Sequence, residues 1–428
     1  MVAALLLGGC ARSLFDAGGG GGGGGDDGDG SAVPTSCPSP CLADAARDFN
    51  GTPGDASHWR YLDDHRDRTW SPMTPAGMTM TGADPSNRIT TCAASTNSPA
   101  CQALPGALLV STAGATSAAD PALEVTSPTA EVLQISVRAF VPAGDDQEIR
   151  IYRNSREDVL FTGIATAGKI FEHALTLDAL AGDRFLVAVA PDAKGTSDVG
   201  LDVFVNPTGA RFPQACQVAM SFSSATAAMI DNACGGAFTP RLYDPDMPST
   251  AAMGAGPFPE LGSAADLSFN KYLRGPAVLD RTRDTTTQLW IKLRSLDTLA
   301  DNAWPFSDLD LNSTGGLGLG ILNQDPPQLD VVTCTAVTPD ITFTEMPVSY
   351  PGDGGWHFVR AVQAGDTVKL CIDGTFRTSI SVPAGKLAST FPPHIGANVV
   401  WSPQGAFFDG EIDDVRVLTG ALPCDPAR

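Results

Sequence analysis

Positive charge is what this 428-residue chain has least of. Lysine and arginine together number 27 against 48 aspartates and glutamates, which leaves a formal net charge of −21. Phosphate backbones and anionic lipid need a cationic field, so nucleic acid is excluded as a partner and a membrane can be held only through an anchor. Histidine is scarce too. The five present, His58, His65, His173, His357 and His394, make no HExxH pair. No GxSxG elbow, Walker loop or dinucleotide-type GxGxxG occurs. The glycine alternation in GGLGLGIL lacks a following helix and reads as a flat strand. No apolar run reaches the length of a membrane span. Charged residues amount to only 18% against 43% hydrophobic, a composition of packed β-rich domains joined by Gly, Pro and Ser loops rather than of exposed helices. At this length two or three such domains, each with its own core, are expected.

The N-terminus reads MVAALLLGGC, a short apolar run ending in Leu7, Gly8, Gly9 and Cys10. It resembles the lipobox of a bacterial lipoprotein, which implies a signal peptide over residues 1–9 and lipidation of Cys10. Residues 10–36 follow as a linker containing the unbroken glycine run 18–25 and then DDGDGSAVPTS, which can bury nothing and acts as a flexible tether. About 20 such residues have a root-mean-square reach of about 25 Å. Each acyl CH₂ contributes about 0.8 kcal/mol, so lipid chains on Cys10 would hold the protein on its membrane without a spanning helix. The implied location is the bacterial cell envelope, outer membrane or cell surface.

Ten cysteines in an exported protein read as disulfides, because none forms the CxxC spacing of a zinc site. Cys92 and Cys101 are spaced to close a small loop, and Cys334 and Cys371 lie in two strand patterns that would be neighbours. The remaining connectivity stays open. A lipidated Cys10 leaves an odd number to pair.

Over residues 37–212 the apolar period is two. In VLQISVRAFV, Leu133, Ile135, Val137, Ala139 and Val141 alternate with polar positions, and Val199, Leu201, Val203 and Val205 repeat the pattern. Turns rich in Gly, Asp and Pro separate the runs. An antiparallel β-sandwich is expected, and its opening, from DFNGTPGDASHWRYLDDHRD onward, is similar to that of jelly-roll domains. Within it His58, Asp63, Asp64 and His65 invite a metal reading. On a strand, however, Asp63 and His65 share one face while His58 and Asp64 take the other, so they read instead as solvated charge on an edge strand.

The region 213–428 carries a more specific pattern. DTTTQLWIKLRS (284–295), GWHFVRAVQAGDTVKLCIDGTF (355–376), HIGAN (394–398) and FFDGEIDDVRVLTGALP (407–423) occur in the order and approximate spacing of a laminin G-like, concanavalin A-like lectin domain, which this half of the chain resembles. Val368, Leu370 and Ile372 alternate up to Asp373-Gly374, a strong hairpin signal. Trp290 and Trp356 sit inside strand patterns and read as core. The fold expected for the whole is all-β: two antiparallel sandwiches of jelly-roll type behind a disordered tether.

GEIDDVR (410–416) raises the question of catalysis, since concanavalin-type folds also include glycoside hydrolases with an E-x-D-x-E strand. Strand alternation places Glu411 and Asp413 on one face and turns Asp414 to the other, so the third carboxylate is missing. The strand also closes the domain, where the lectin-like family has its final strand. Asp413 or Asp414 is therefore expected to bond a nearby turn or to pair with Arg416. The reading is a non-enzymatic surface lipoprotein whose laminin G-like module binds carbohydrate or a surface protein. By resemblance, calcium sometimes assists, and Asp308, Asp310 and Asp373 are its candidate ligands. Trp304 and Trp401, in loop-like contexts, are the candidates for stacking on a sugar ring. The rival readings are an extracellular glycoside hydrolase or lyase and a structural protein–protein adhesion component.

Overall fold

The computed structural model describes residues 35–424 except 50–57, 66–68, 96, 114–118, 145, 192–196, 223–227, 243–246, 259–260, 268–269, 295–301, 311–314, 338–340, 383–386 and 400–406. Cys10, the glycine run and Trp401 lie outside the described residues. Within them the chain is almost wholly β, and its one α-helix is the five-residue Pro99–Ala103. Four antiparallel sheets of eight, six, eight and nine strands form two successive sandwiches, as the alternating apolar pattern requires.

In the first sandwich Leu133, Ile135, Val137 and Ala139 on the Glu131–Phe140 strand are fully buried, together with Val199, Leu201, Val203 and Val205 on the Ser197–Pro207 strand beside it. Across the core stand Trp59, Tyr61, Leu123, Val125, Ile149 and Val187 of the facing sheet. The charge around Asp63 is not a solvated edge. The Trp59–His65 strand is paired on both sides, by Ala119–Thr126 and Trp70–Pro72, and Asp63 and Asp64 are both 0% exposed. Asp63 accepts the Ala83 N–H, and Asp64 accepts the Trp70 indole N–H at 2.9 Å with Arg156 3.6 Å away. Burial still pushes the Asp64 pKa up to about 6 against the pull of Arg156.

The second sandwich buries Leu289, Ile291, Val359, Leu370, Ile372, Ile412, Val415 and Val417 of one sheet against Phe306, Leu319, Ile321, Leu329 and Val331 of the other. Asp373-Gly374 forms the expected two-residue hairpin, with φ of 54° and 76°. The GGLGLGIL run supplies the Leu317–Leu322 strand, whose glycines at 318 and 320 leave room for the Trp304 ring. Four disulfides are present: Cys37–Cys41, Cys92–Cys101, Cys216–Cys234 and Cys371–Cys424. The 92–101 loop closes as its spacing predicts. Cys371 does not meet Cys334. The two lie in different sheets, and Cys371 is bonded to the segment following the last strand.

The two sandwiches are joined by buried charge. Arg360 and Arg416 project from the outer face of the second sandwich and are both almost wholly buried against the first. Arg416 grips Asp183 with two parallel bonds of 2.7 and 3.0 Å. Arg360 pairs with Asp158 and donates to the Val159 carbonyl at 3.0 Å, while Gln288 reaches the same Asp158 at 3.1 Å. Arg153 donates at 2.7 Å to the same Asp158 oxygen that Gln288 reaches, the one not bonded to Arg360. The chain between the sandwiches is itself fixed, because the Asp178 carboxylate accepts the backbone N–H groups of Gln214, Ala215 and Cys216. Planar guanidinium forks suit this interface because they satisfy several acceptors at once, which is the condition for burying charge.

Candidate functional site

The closing strand Gly410–Thr419 is irregular at its centre. Gln288 pairs with Arg416 and Trp290 with Asp413, so the ladder shifts register between them. Asp414, with φ of 44°, is the extra residue of a β-bulge. The expected alternation is thereby corrected. Ile412 and Val415, three apart, both enter the core, and Asp414 is not turned to the core face but accepts the Arg416 Nε–H at 2.7 Å. Asp414 and Arg416 pair as the sequence reading allowed, and the pair belongs to the inter-sandwich network.

Asp413 is 0% exposed beside Gly256, so close that a Cβ on Gly256 would lie 2.8 Å from its Oδ2. Burial, aided by the neighbouring Asp414 charge, pushes its pKa up to about 8, and it is a neutral acid at pH 7. Glu411, on the same face, is ion-paired with Lys292 at 3.3 Å. A neutral acid beside a second carboxyl group is the arrangement a glycosidase needs. Here the acid is sealed from substrate. Because the folded pKa is raised, Asp413 weakens the fold progressively as pH rises from about 4 toward 8. Asp413→Asn is therefore expected to stabilise the protein by on the order of 2 kcal/mol at pH 8 and by little at pH 4, read by urea unfolding. An equal effect at both pH values would contradict a buried neutral acid.

The three aspartates expected to hold calcium are each committed elsewhere. Asp308 pairs with Arg281 at 2.5 Å and accepts the Leu317 N–H at 2.8 Å, fully buried between the sheets. Asp310 accepts from Thr390 through both its hydroxyl and its N–H. Asp373 accepts the Phe358 N–H at 3.0 Å and meets His357 Nδ1 at 2.9 Å, while His357 Nε2 meets Asp353 at 2.9 Å. Among the described residues no group of three His, Cys, Asp or Glu is placed to hold a metal ion. These residues do not fit a calcium site. Trp304 lies in the Asn302–Ser307 strand rather than a loop and is 1% exposed, packed on Gly318, Gly320, Leu309 and Val332. Its ring offers no face to a sugar.

The accessible chemistry lies instead at one end of the outer face of the sheet containing the closing strand. Asp266, Glu411 and Lys292 stand side by side on three neighbouring strands, set by the pairs Asp266–Glu411 and Lys292–Glu411. Trp356 comes next, one step before the strand His357–Ala364. It is half-buried, with one side packed on Trp290, Phe358 and Leu261, and with Lys292 Nζ 5.8 Å from its centroid. Arg294, just past its strand, spans two carboxylates, Asp266 and Asp409. Arg294 also lines a cavity of about 110 Å³, together with Leu293, Tyr350, Pro351, Gly352, Gly354 and Gly355. Pockets for whole small molecules usually run to about 300 Å³ or more, so this hollow is too small to enclose one. Sequence reasoning assigned Trp356 to the core. Only the Ile291–His357 pairing reveals that it follows Lys292 on the outer face.

The family model described as the concanavalin A-like lectin/glucanases superfamily matches residues 268–425. No curated protein matches the chain at a significant level. Among solved structures, domain 4 of AbnA, a GH43 extracellular arabinanase from Geobacillus stearothermophilus, in complex with arabinotriose, is 21% identical, covering 49% of this chain and 94% of that one at a TM-score of 0.37. The botulinum neurotoxin serotype D binding domain is 12% identical, covering 49% and 50% at 0.34. A Ruminococcus gnavus IT-sialidase CBM40 bound to alpha2,3 sialyllactose is 15% identical, covering 38% and 92% at 0.29. Overlaps this slight carry no functional argument. The family match does bear on the fold: residues 268–425, with the tryptophan strand, the IDG hairpin and the IDDVR strand, carry the signature of the concanavalin A-like lectin/glucanases superfamily.

Proposed function

We propose that the second sandwich is a non-catalytic carbohydrate-binding module whose ligand lies on the Trp356 face. The observation that carries this reading is the juxtaposition of a partly buried indole with paired carboxylate and cationic groups, one of which, Arg294, also lines a small hollow, on a domain with a lectin-superfamily signature. An aromatic face suits the C–H side of a sugar ring, and fixed charged side chains suit its hydroxyls. The carboxylates that a hydrolase would need on this strand are committed to structure: Asp414 to Arg416, Asp413 to a sealed position and Glu411 to Lys292. Lipidation of Cys10 and display on the bacterial envelope belong to the same proposal, and fatty-acid labelling lost in Cys10→Ser tests them. The functional test is a screen of the purified chain against neutral and charged glycans, with calcium and with chelator. Saturable binding without release of shorter sugars, unchanged by chelator, is expected. Turnover of a bound glycan would establish the hydrolase reading instead, and binding only to a protein ligand would establish an adhesion role.

A further inference from the structure

The charge arrangement on this face narrows the ligand class. We infer that the Trp356 face takes an uncharged saccharide and rejects glycans bearing carboxylate or sulfate groups, an inference that rests on the carbohydrate reading above. Both cations of the patch are already committed. Arg294 is held between Asp266 and Asp409, and Lys292 is held by Glu411. Asp353, on the turn whose glycines line the hollow, is 64% exposed, with His357 on one oxygen. Four carboxylates thus face Arg294, Lys292 and His357, each of them already acid-paired, in a protein whose net charge is −21.

An anionic sugar gains affinity from a cation that offers it a free bidentate edge. Here Arg294 and Lys292 already carry carboxylates, so an anionic sugar bonding their remaining donors would set its charge beside Asp266, Asp409 or Glu411. A neutral sugar meets no such repulsion. Paired carboxylates retain acceptor lone pairs, and a paired guanidinium retains N–H donors, so hydroxyls can bond both while the pairs stay intact. Arg294 and Asp266 are 41% and 34% exposed, enough to be reached in this way. The surrounding field acts in the same direction, since complementarity of charge across a binding surface serves chiefly to exclude wrong partners.

The test uses the full chain on an array of neutral oligosaccharides, each beside its uronate or sulfated counterpart, at 50 and 300 mM NaCl. The expected result is binding to neutral members only, with affinity changed less than about twofold by salt and the charged counterparts at least about tenfold weaker. Asp409→Asn, which frees one of the two bonded edges of Arg294, should raise binding of the charged counterparts relative to the neutral ones at least about threefold. Preferential, salt-sensitive binding of charged glycans by the unaltered chain would overturn the inference and leave the carbohydrate reading standing. Binding of neither class would defeat the carbohydrate reading and the inference with it.

Discussion

Arg416→Ala is expected to destabilise the protein by about 3–5 kcal/mol, the largest loss expected from any single change discussed for this chain. The guanidinium is buried and makes three bonds, two to Asp183 and one to Asp414. Its removal strands both carboxylates in the interface between the sandwiches. The Arg416 charge, working against burial, holds the Asp183 pKa down at about 2. A depressed pKa of this kind stabilises the fold fully above the unfolded value of about 3.9 and less and less as pH falls toward 2. The wild type should therefore lose this contribution only in strong acid. In Arg416→Ala the stranded carboxylates titrate upward, so the variant should recover part of its deficit when the pH is lowered from 7 to 5. Urea unfolding at both pH values measures this. A deficit below about 1 kcal/mol at pH 7 would be that of a solvent-exposed pair and would contradict a buried one.

Removing the Cys371–Cys424 bond by a double change to alanine ranks second. The bond spans 53 positions, and the loop-closure argument assigns such a bridge about 4 kcal/mol. It also fixes the segment after the last strand. There the Leu422 N–H donates to the Thr286 hydroxyl at 2.9 Å, and the Pro423 carbonyl accepts from Arg360 at 2.6 Å. Loss of the bond should thus loosen the interface around Arg360 as well as the second sandwich. Unfolding of the oxidised protein should occur at markedly higher urea than that of the double variant, with protease cutting appearing first after Leu418. An unchanged midpoint would mean that the segment is held without the bridge.

These two results concern the parts of the molecule least legible in its sequence. The sandwich cores were readable because period two leaves a direct trace: Leu133 to Ala139 and Val199 to Val205 point inward as their alternation requires. The hairpin at Asp373-Gly374 was readable for the same local reason. The closing strand was only half readable. Ile412, Val415 and Val417 already break the alternation in the sequence, and that spacing of three is the mark of the bulge at Asp414. Asp183 and Asp158 carry no mark of the interface, since the arginines they meet in the second sandwich lie more than 200 residues away and a buried carboxylate looks like an exposed one in a sequence. The same blindness misassigned Asp63 and Asp64 to solvent. It also favoured Trp304, which lies in a strand, over Trp356, whose exposure depends on which face follows Lys292. Length and order of strands reside in the chain, whereas the partners of a charged side chain are set by tertiary pairing.

The central claim is that ligand recognition lies at Trp356 and not at the IDDVR carboxylates. The most direct measurement is calorimetric titration of one retained neutral glycan into the wild type, Trp356→Ala and Asp413→Asn. Loss of an aromatic stacking platform costs about 1–2 kcal/mol, so Trp356→Ala should weaken binding about tenfold at a temperature where unfolding curves show the variant still folded. Asp413→Asn should bind as the wild type does. The reverse pattern, with Trp356→Ala binding normally and Asp413→Asn failing to bind or to turn over the glycan, would contradict the account and place the function on the closing strand.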